Sequence, residues 1–356
     1  MCPMRAVLLS LTFLSGCSLH AVQPSPVDWA EAPYFRGCVL PLPPPQFLRT
    51  SERSPNIVLV VADDLGWGDL GCYGQEQIST PRLDRMAAEG MRFTDFYAGC
   101  TVCAPSRSVL MTGKHMGHTY IRGNGGQPIR PEDVTVAEVL KDAGYATGGF
   151  GKWGLGLMGT EGIPTRQGFD TFFGFLSQVH AHNHYPSFLW DDEERVELSN
   201  VVPNEGKHGQ GVATEKKEYA MDLCFERARD FVREHAEEPF FLFLPITVPH
   251  ANNQAGKEGM EVPDLGEYAD NDWRRPDQGY AAMVTRIDTE VGRLLDLLEE
   301  LDLDKNTLVL FTSDNGPHSE GGFDPNFFDP NGPYRGIKRS LHAGGIRVPL
   351  IARSPG

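Results

Sequence analysis

The hydrophobic pattern of the chain alternates between short, continuous apolar runs and longer amphipathic stretches. The runs NIVLVVA at 56–62 and TLVLFTS at 307–313 are apolar almost throughout, which is typical of strands buried on both faces. Further strands are predicted at 91–97, 145–150, 240–244 and 346–352. Helices are predicted at 81–89, 104–112, 135–144, 219–235 and 280–301. This alternation predicts an α/β fold, with a mostly parallel central sheet covered by helices on both faces.

Local signals fix several of these boundaries. Thr80 and Pro81 suit the N-cap and the first position of a helix. Thr135 and Glu138 have the spacing of a capping box, which starts the helix predicted at 135–144. Pro245 cannot lie inside a central strand, so we expect it at the end of the strand over 240–244.

The N-terminus resembles an export signal. One basic residue, Arg5, precedes an apolar run over 6–14, which is too short to span a membrane. Leu14-Ser15-Gly16-Cys17 follows and is similar to the bacterial lipoprotein cleavage box, in which the cysteine receives the lipid. Residues 1–17 are therefore predicted to be a lipoprotein-type signal peptide. The alternative is an ordinary signal peptide cut nearby.

The remainder divides into two parts. Residues 18–54 are rich in proline and are predicted to be a tether. Residues 55–356 are predicted to form the folded domain. Because Gly356 follows directly on a predicted strand, we expect a sequence truncated at its C-terminus, with a C-terminal subdomain missing.

Composition narrows the possible partners. The chain has 356 residues, of which 40% are hydrophobic, and a net charge of -16. This charge argues against nucleic acid, which needs a basic face. The exported compartment permits disulfides among the cysteines that carry no other assignment, but their pairing stays open. These are Cys38, Cys72, Cys100 and Cys224.

Polar side chains follow four of the predicted strands. Asp63 and Asp64 come after the first, and Asp314 and Asn315 come after the run over 307–313. In a parallel sheet these carboxyl ends meet at one edge, where ligands bind. Three crowded carboxylates need a cation among them, and oxygen ligands suit Ca²⁺ or Mg²⁺. The alternative for each pair is a helix cap or a turn.

The segment Cys103-Ala104-Pro105-Ser106-Arg107 carries the sharpest signal. Cys103 stands at a predicted helix N-terminus, where free N–H groups and the helix dipole favour an anion. Arg107 lies one turn further on the same face, where its guanidinium can hold an oxyanion. Cys100 and Cys103 also form a CxxC pair, but no second CxxC or suitably spaced histidine pair supports a zinc or redox site.

This segment resembles the motif that is converted to formylglycine in the type I sulfatases of the alkaline phosphatase superfamily. The family pattern, Cys-x-Pro-Ser-Arg followed by a helix ending in Thr-Gly, is matched through Thr112-Gly113. The resemblance extends over residues 54–356. It implies a metal site of Asp63, Asp64, Asp314 and Asn315, completed by Cys103 as the formylglycine hydrate.

The same resemblance assigns the catalytic side chains. Lys152 and Lys338 match sulfate-binding lysines, and His250 matches the histidine that protonates the leaving alcohol. With Arg107, the lysines would stabilise the charged oxygens while one hydrate oxygen attacks sulfur. The second hydrate hydroxyl then loses its proton, and sulfate leaves.

The chain departs from the family pattern at Gly154, where many members carry a histidine that contacts the formylglycine hydrate. The histidines at 180, 182 and 184 are candidates to replace it, and His182 is preferred; a solvated loop is the alternative. His318 is a candidate for substrate contact.

The resemblance implies hydrolysis of a sulfated carbohydrate or aryl sulfate, with Ca²⁺ bound, although Mg²⁺ stays possible. The implied partner during maturation is a formylglycine-generating enzyme. Contact with a membrane is expected only through a lipid anchor, in the periplasm or on the outer membrane or cell surface. Two alternatives stay open: a phosphodiester or phosphonate hydrolase of the same superfamily, and an inactive carbohydrate-binding lipoprotein.

Overall fold

The computed structural model of the chain describes residues 53–354. Within them a single nine-stranded sheet has the order β2-β9-β8-β1-β7-β3-β4-β5-β6. The strands are β1 Asn56–Ala62, β2 Met91–Phe93, β3 Ala146–Lys152, β4 Thr171–Phe175, β5 Phe188–Asp191, β6 Glu194–Glu197, β7 Phe240–Pro245, β8 Thr307–Ser313 and β9 Leu350–Arg353. The helices are α1 Pro81–Glu89, α2 Cys103–Thr112, α3 Val136–Asp142, α4 Ala220–Glu234, α5 Arg275–Glu300, α6 Pro325–Phe328 and α7 Ala343–Ile346.

The centre of the sheet is parallel, and its edges are antiparallel. Strand β1 pairs in parallel with β7 and β8, and β3 pairs in parallel with β7 and β4. The additions at the two edges, β9 and β2 on one side and β5 and β6 on the other, run antiparallel to their neighbours. The prediction of a mostly parallel α/β sheet is confirmed.

Side chains of the central strands divide between two hydrophobic cores. In β1, Val58 and Val60 pack into the larger core with residues of α1, α4 and α5. Val61 points to the opposite face, where a smaller core includes Ala104 of α2 and Ala137 of α3. Since successive strand residues face opposite sides, helices cover both faces, as the continuous apolar runs predict.

Most predicted boundaries are close to those observed. Strands β1 and β8 have the predicted bounds, and the capping box of α3 forms between Thr135 and Glu138. Helix α1 begins after Thr80, but the Thr80 hydroxyl does not cap it. It accepts instead from the backbone N–H of Gly71 at 2.8 Å. Pro245 ends β7 as expected.

Three of the predicted elements have bounds that differ clearly from those observed. Helix α5 begins at Arg275, earlier than predicted, with Pro276 in its first turn. The predicted strand at 91–97 is shorter, because only Met91–Phe93 pairs with β9. The predicted last strand at 346–352 is preceded by the short α7 and begins at Leu350.

Several predictions concern residues outside the described range. The signal peptide at 1–17, most of the tether at 18–54 and Cys38 belong to this group. The cysteines within the range all carry free thiols, so no disulfide joins Cys100 to Cys103. Between residues 53 and 354, no helix is both long enough and apolar enough to cross a bilayer.

Candidate active site

The carboxyl ends of four adjacent strands bring the predicted residues together. Asp63 and Asp64 follow β1, and Asp314 and Asn315 follow its parallel neighbour β8. On the other side of β1, His250 lies shortly after β7, and Lys152 is the last residue of β3. Because these strands run in the same direction, their ends lie at one edge of the sheet, as the sequence predicts.

Hydrogen bonds connect Asp64 to both Asp314 and Asn315. Asp64 has a left-handed backbone, with φ of 66°, and its N–H donates to Asp314 Oδ1 at 3.2 Å. Asn315 Nδ2 donates to Asp64 Oδ1 at 2.7 Å. One side-chain atom each of Asp63, Asp64, Cys103 and His250 lies within 4.8 Å of the others. The predicted metal-binding residues therefore form one buried cluster.

Three buried cationic side chains surround this cluster. Lys152 Nζ lies 2.6 Å from Asp63 Oδ2, and Lys338 Nζ lies 2.6 Å from Asp64 Oδ2. Arg107 Nε donates to Asp314 Oδ2 at 2.9 Å. Because an isolated buried charge is costly, these pairs stabilise carboxylates and cations together.

Burial and charge act against each other in the pKa values of these groups. Burial opposes the charge of Asp63, but the nearby cations, Lys152 foremost, keep the pKa of its carboxyl well below the usual value. Burial likewise opposes the charge of Lys338, yet Asp64 raises the pKa of its ammonium group. Burial and the charge of Asp63 raise the pKa of Asp314 to about 7. The three carboxylates of the cluster thus face three cationic side chains, so their charges balance when all six groups are ionised.

The cluster fits a divalent cation. The carboxylate and amide oxygens of Asp63, Asp64, Asp314 and Asn315 form the hard donor set that Ca²⁺ and Mg²⁺ prefer. Asn315 Oδ1 is buried and makes no hydrogen bond to any described residue. An orphaned buried acceptor costs free energy, which a cation at this position would recover.

Cys103 begins helix α2 beside this cluster. Its Sγ lies 3.4 Å from Asp63 Oδ1, and it is buried. Burial, reinforced by Asp63, raises the pKa of its thiol above the usual value. Since the thiolate is the reactive form, an unmodified Cys103 is poorly suited to act as a nucleophile.

Arg107 lies one turn along the same helix and keeps a donor free. Its Nη1 donates to Lys152 O at 2.6 Å, which orients the guanidinium. Nη2 lies within ion-pair distance of Asp314 but makes no hydrogen bond to the described residues. A buried guanidinium donor of this kind is well suited to hold an oxyanion beside Cys103.

His250 is held in one tautomer by its two ring contacts. Nδ1 lies 2.7 Å from Ala251 O and therefore donates to it, while Nε2 lies 3.0 Å from Lys338 Nζ and accepts. Burial, followed by the charge of Lys338, lowers the pKa of the ring. The His250 ring is thus neutral, and its Nε2 accepts a hydrogen bond from Lys338.

His182 lies against His250, whereas the neighbouring histidines point elsewhere. The His182 and His250 rings stack with centroids 4.2 Å apart, and His182 Nδ1 is buried without a hydrogen-bond partner among the described residues. His180 packs between Phe175 and Phe188, away from the acidic cluster. His184 Nε2 contacts the backbone oxygen of His250 at 2.8 Å and supports its loop.

His318 is engaged by the backbone at both ring nitrogens. Its Nε2 donates to Pro249 O at 3.0 Å, and its Nδ1 accepts from Glu320 N at 2.9 Å. Both contacts fix loops of the site. These bonds leave no ring nitrogen for the substrate contact that the sequence suggested.

The position of the missing histidine is filled by a residue that the sequence analysis did not identify. Gly154 has φ of 74°, and a Cβ atom there would lie 2.1 Å from Gln178 Nε2. A side chain at position 154 would therefore require the Gln178 amide to move from its observed position. No local sequence pattern marks Gln178, because the contact joins two separate loops.

The sulfatase family profile matches residues 55–356. An N-acetylgalactosamine-6-O-sulfatase of Bacteroides thetaiotaomicron is 33% identical, over 86% of this chain and 68% of its own length. Human arylsulfatase A is 34% identical, over 85% of this chain and 60% of its own. The crystal structure of Ps i-CgsB with a neocarrahexaose superposes with a TM-score of 0.68 at 28% identity, covering 85% of this chain and 66% of that one.

The chain therefore spans about two thirds of the length of these relatives. The matched range contains the acidic cluster, Cys103 and the three cationic side chains described above. Together, the family match, the fold and this arrangement of residues show that the chain belongs to the sulfatase family, within the alkaline phosphatase superfamily.

Proposed function

We propose that this protein hydrolyses sulfate esters of carbohydrates, using Cys103 after its conversion to formylglycine by a formylglycine-generating enzyme. The observation that carries the proposal is the convergence of three buried cations, from Arg107, Lys152 and Lys338, on the acidic cluster beside Cys103. Such a site combines ligands for a divalent cation with hydrogen-bond donors for the oxygens of a sulfate group.

The formylglycine hydrate would supply the attacking oxygen, and a divalent cation, which we propose to be Ca²⁺, would polarise the sulfate group. Asp63, Asp64, Asp314 and Asn315 would hold the cation. The ammonium groups of Lys152 and Lys338 and the free Nη2 of Arg107 donate to sulfate oxygens, which balances charge as the ester bond breaks.

His250 acts on the departing alcohol. Its neutral ring takes up a proton from solvent at Nε2 and passes that proton to the alcohol oxygen, while Lys338 Nζ, 3.0 Å from Nε2, stays an ammonium group. His182, stacked on His250 with a free Nδ1, accepts the proton whose release expels sulfate. This role replaces that of the histidine absent at position 154.

Paired substrates test the proposal. Protein produced with a formylglycine-generating enzyme should hydrolyse N-acetylgalactosamine 6-sulfate and 4-nitrophenyl sulfate, and a Cys103→Ser variant should lose this activity. Faster hydrolysis of a matched phosphate diester or phosphonate ester would identify the protein as a phosphodiester or phosphonate hydrolase. No turnover of any of these esters by the modified protein would favour an inactive carbohydrate-binding protein.

The role of His182 has its own test. His182→Ala should lower kcat by about a hundredfold while KM changes little, because the ring acts after substrate binds. His115→Ala, at an exposed position, is the control and should leave both constants unchanged. An unaltered kcat in the His182 variant would remove this residue from the mechanism.

We also propose that residues 1–17 direct export and that Cys17 receives a lipid, so that the protein contacts a membrane through this anchor alone. The support is the sequence of the N-terminus. Labelling with a radioactive fatty acid in a bacterial host should mark the wild type and leave Cys17→Ala unmarked. Equal labelling of both would contradict the lipid anchor.

A further inference from the structure

Asp69 lies in the loop that carries two of the proposed metal ligands. This loop leaves β1 at Asp63 and Asp64 and passes Asp69 before the short helical turn at Gly71–Tyr73. The Asp69 carboxyl is fully buried, yet it lies outside the acidic cluster and forms no ion pair with a described residue. The mechanism proposed above leaves this buried acid without a role.

The loop begins with an uncommon backbone conformation. Asp64 has φ of 66°, in the left-handed region, which costs free energy for a residue with a side chain. Asp63 and Asp64 nevertheless both contribute an atom to the same buried cluster, although they are neighbours in the chain. Such a turn persists only where surrounding groups hold the backbone that follows it.

Three successive backbone N–H groups at this turn each donate to a side-chain oxygen. Those of Asp64 and Leu65 donate to side chains at the end of β8, at 3.2 and 3.0 Å. The third, from Gly66, donates to Asp69 Oδ2 at 2.6 Å. Asp69 therefore continues, from within the loop itself, the support that β8 gives to the first two groups.

A second donor connects Asp69 to helix α5. The Tyr280 hydroxyl donates to the same Oδ2 atom at 2.6 Å. Tyr280 is fully buried, and its ring stacks on Phe323 with centroids 3.8 Å apart. The other carboxyl oxygen, Asp69 Oδ1, is buried without a partner among the described residues. The Oδ2 atom thus joins the loop to a tightly packed side chain of α5.

Pro330 leaves the loop little room to adjust. Gly68 N donates to Pro330 O at 2.7 Å, and a Cβ atom at position 66 would collide with that same oxygen. The close approach therefore requires glycine at position 66. A hydrogen bond from the Gly66 N–H to Asp69 then fixes the orientation of a peptide unit that no side chain of its own can anchor.

We propose that Asp69 is a positioning residue for the divalent cation. Its Oδ2 atom, held by Tyr280, fixes Gly66 and so keeps the two carboxylates at the start of the loop turned toward the ion. This inference rests on the proposed function, which places a divalent cation at those carboxylates. Groups that hold metal ligands in place through hydrogen bonds change metal affinity by about 10- to 100-fold when they are removed.

Three variants separate the contacts of this carboxyl. Asp69→Ala removes the acceptor of both donors, whereas Tyr280→Phe removes one donor and keeps the stacked ring. Asp69→Asn keeps a carbonyl oxygen that can accept from both. Because burial raises the pKa of the Asp69 carboxyl to about 7, the amide is also close to its neutral form.

Two residues that contact another part of the chain provide matched controls. Asp288 is a buried carboxyl of α5 that accepts from the backbone N–H groups of Arg82 and Leu83. Tyr268 is also buried, and its hydroxyl lies 2.7 Å from Thr285 Oγ1 of the same helix. Asp288→Ala and Tyr268→Phe therefore remove comparable hydrogen bonds outside the metal-binding loop.

The measurement is the dissociation constant of Ca²⁺, determined by titration calorimetry on chelator-treated protein that carries formylglycine. It should rise by about tenfold or more in Asp69→Ala, and by about threefold in Tyr280→Phe through the loss of one neutral hydrogen bond. Asp69→Asn should stay within about twofold of the wild type, since both hydrogen bonds are retained. The two controls should bind Ca²⁺ as the wild type does, even where their stability is lower.

Turnover of a sulfate ester gives a second readout. At saturating Ca²⁺ the kcat and KM of Tyr280→Phe should equal those of the wild type, because the hydroxyl acts through the ion and not on the substrate. An unchanged Ca²⁺ dissociation constant in Tyr280→Phe and Asp69→Ala, or an equal rise in the controls, would overturn the inference and leave the proposed function intact. If Asp69→Ala does not fold, Tyr280→Phe decides alone. A wild type that bound neither Ca²⁺ nor Mg²⁺ would instead contradict the proposed function itself.

Discussion

At the residue scale, the site is an arrangement of buried charges that stabilise one another. Lys152 and Asp63 are both fully buried and 2.6 Å apart, so neither is stable alone. Arg107 forms a buried ion pair of the same kind with Asp314, and Lys338 forms one with Asp64. Such pairs contribute little net free energy compared with apolar side chains, but breaking one leaves an uncompensated charge.

Lys152→Met should therefore destabilise the metal-free protein strongly, by about 3 to 5 kcal/mol. Lys141→Met is the matched control, because Lys141 and Asp170 form an exposed pair of similar length, 2.7 Å. We expect that change to cost less than about 1 kcal/mol. Urea denaturation of the chelator-treated proteins measures the free energy of unfolding of both variants. Equal losses of this free energy in the two variants would contradict a charge-balanced cluster.

Asp69, which lies outside the charged cluster, gives a prediction about how the stability of the fold depends on pH. Burial raises the pKa of its carboxyl to about 7, although Tyr280 and the Gly66 N–H donate to it. The unfolded carboxyl ionises near pH 4, while the folded one stays protonated to about pH 7. The unfolded state therefore binds fewer protons in this window, and the wild type loses stability as pH rises through it.

Asp69→Asn removes this titration while keeping an acceptor oxygen for both donors. The stability of the variant relative to the wild type should increase between about pH 4 and pH 7, by on the order of 1 kcal/mol per pH unit. Chemical denaturation at a series of pH values measures the difference. Parallel curves for the two proteins would show that Asp69 has an ordinary pKa.

At the element scale, the strands with long, continuous apolar runs were predicted most accurately. Strands β1 and β8 are buried on both faces, so their continuous apolar runs marked their bounds correctly. Strand β6, Glu194–Glu197, is largely exposed at the sheet edge and carries no apolar pattern that would reveal it. Strands β4, which is buried but only five residues long, and β5, which has four residues, were also absent from the prediction, because such short runs give little pattern.

The same distinction holds for the site. Residues that directly follow predicted strands, such as Asp63 and Asp314, were identified because strand direction alone places them together. Lys338 and His250 were found through family motifs. Gln178 was missed, since its importance arises only from its contact with Gly154 across two loops.

The capping box of α3 gives a prediction at this scale. Thr135 Oγ1 accepts from the Glu138 N–H at 3.2 Å and donates to Gln167 O at 2.8 Å. Thr135→Ala should lower the free energy of unfolding by about 1 to 2 kcal/mol, with an unchanged denaturant dependence. Thr135→Ser retains the hydroxyl and should lose less than half of that amount; equal losses would point to packing of the methyl group instead.

At the scale of the whole molecule, a strongly acidic chain gathers three buried cations at one edge of its sheet. The net charge of -16 would repel sulfated polymers at long range, so the proposed binding of a sulfate ester depends on these local cations. Burial of Arg107, Lys152 and Lys338 makes this local field effective, since salt screens buried charges weakly. A divalent cation among the carboxylates, as proposed above, would add to the same field.

Metal binding should accordingly stabilise the whole fold. At a free Ca²⁺ concentration about 100 times its dissociation constant, the free energy of unfolding should rise by about 2.7 kcal/mol over the chelated protein. Asp63→Asn should lose most of this increase, because it removes a ligand oxygen with its charge. Thermal denaturation across a calcium and a magnesium series measures the response, and identical responses in variant and wild type would place the ion elsewhere.

The most direct test of the account compares the aldehyde content of Cys103 with sulfate release in the same samples. Trypsin cleavage after Arg92 and Arg107 yields one peptide that contains both Cys100 and Cys103, so the unmodified Cys100 serves as an internal control in its mass spectrum. Samples produced with different amounts of a formylglycine-generating enzyme should release sulfate in proportion to the fraction of Cys103 converted to the aldehyde. Full sulfate release from protein in which Cys103 is still a thiol would contradict the account.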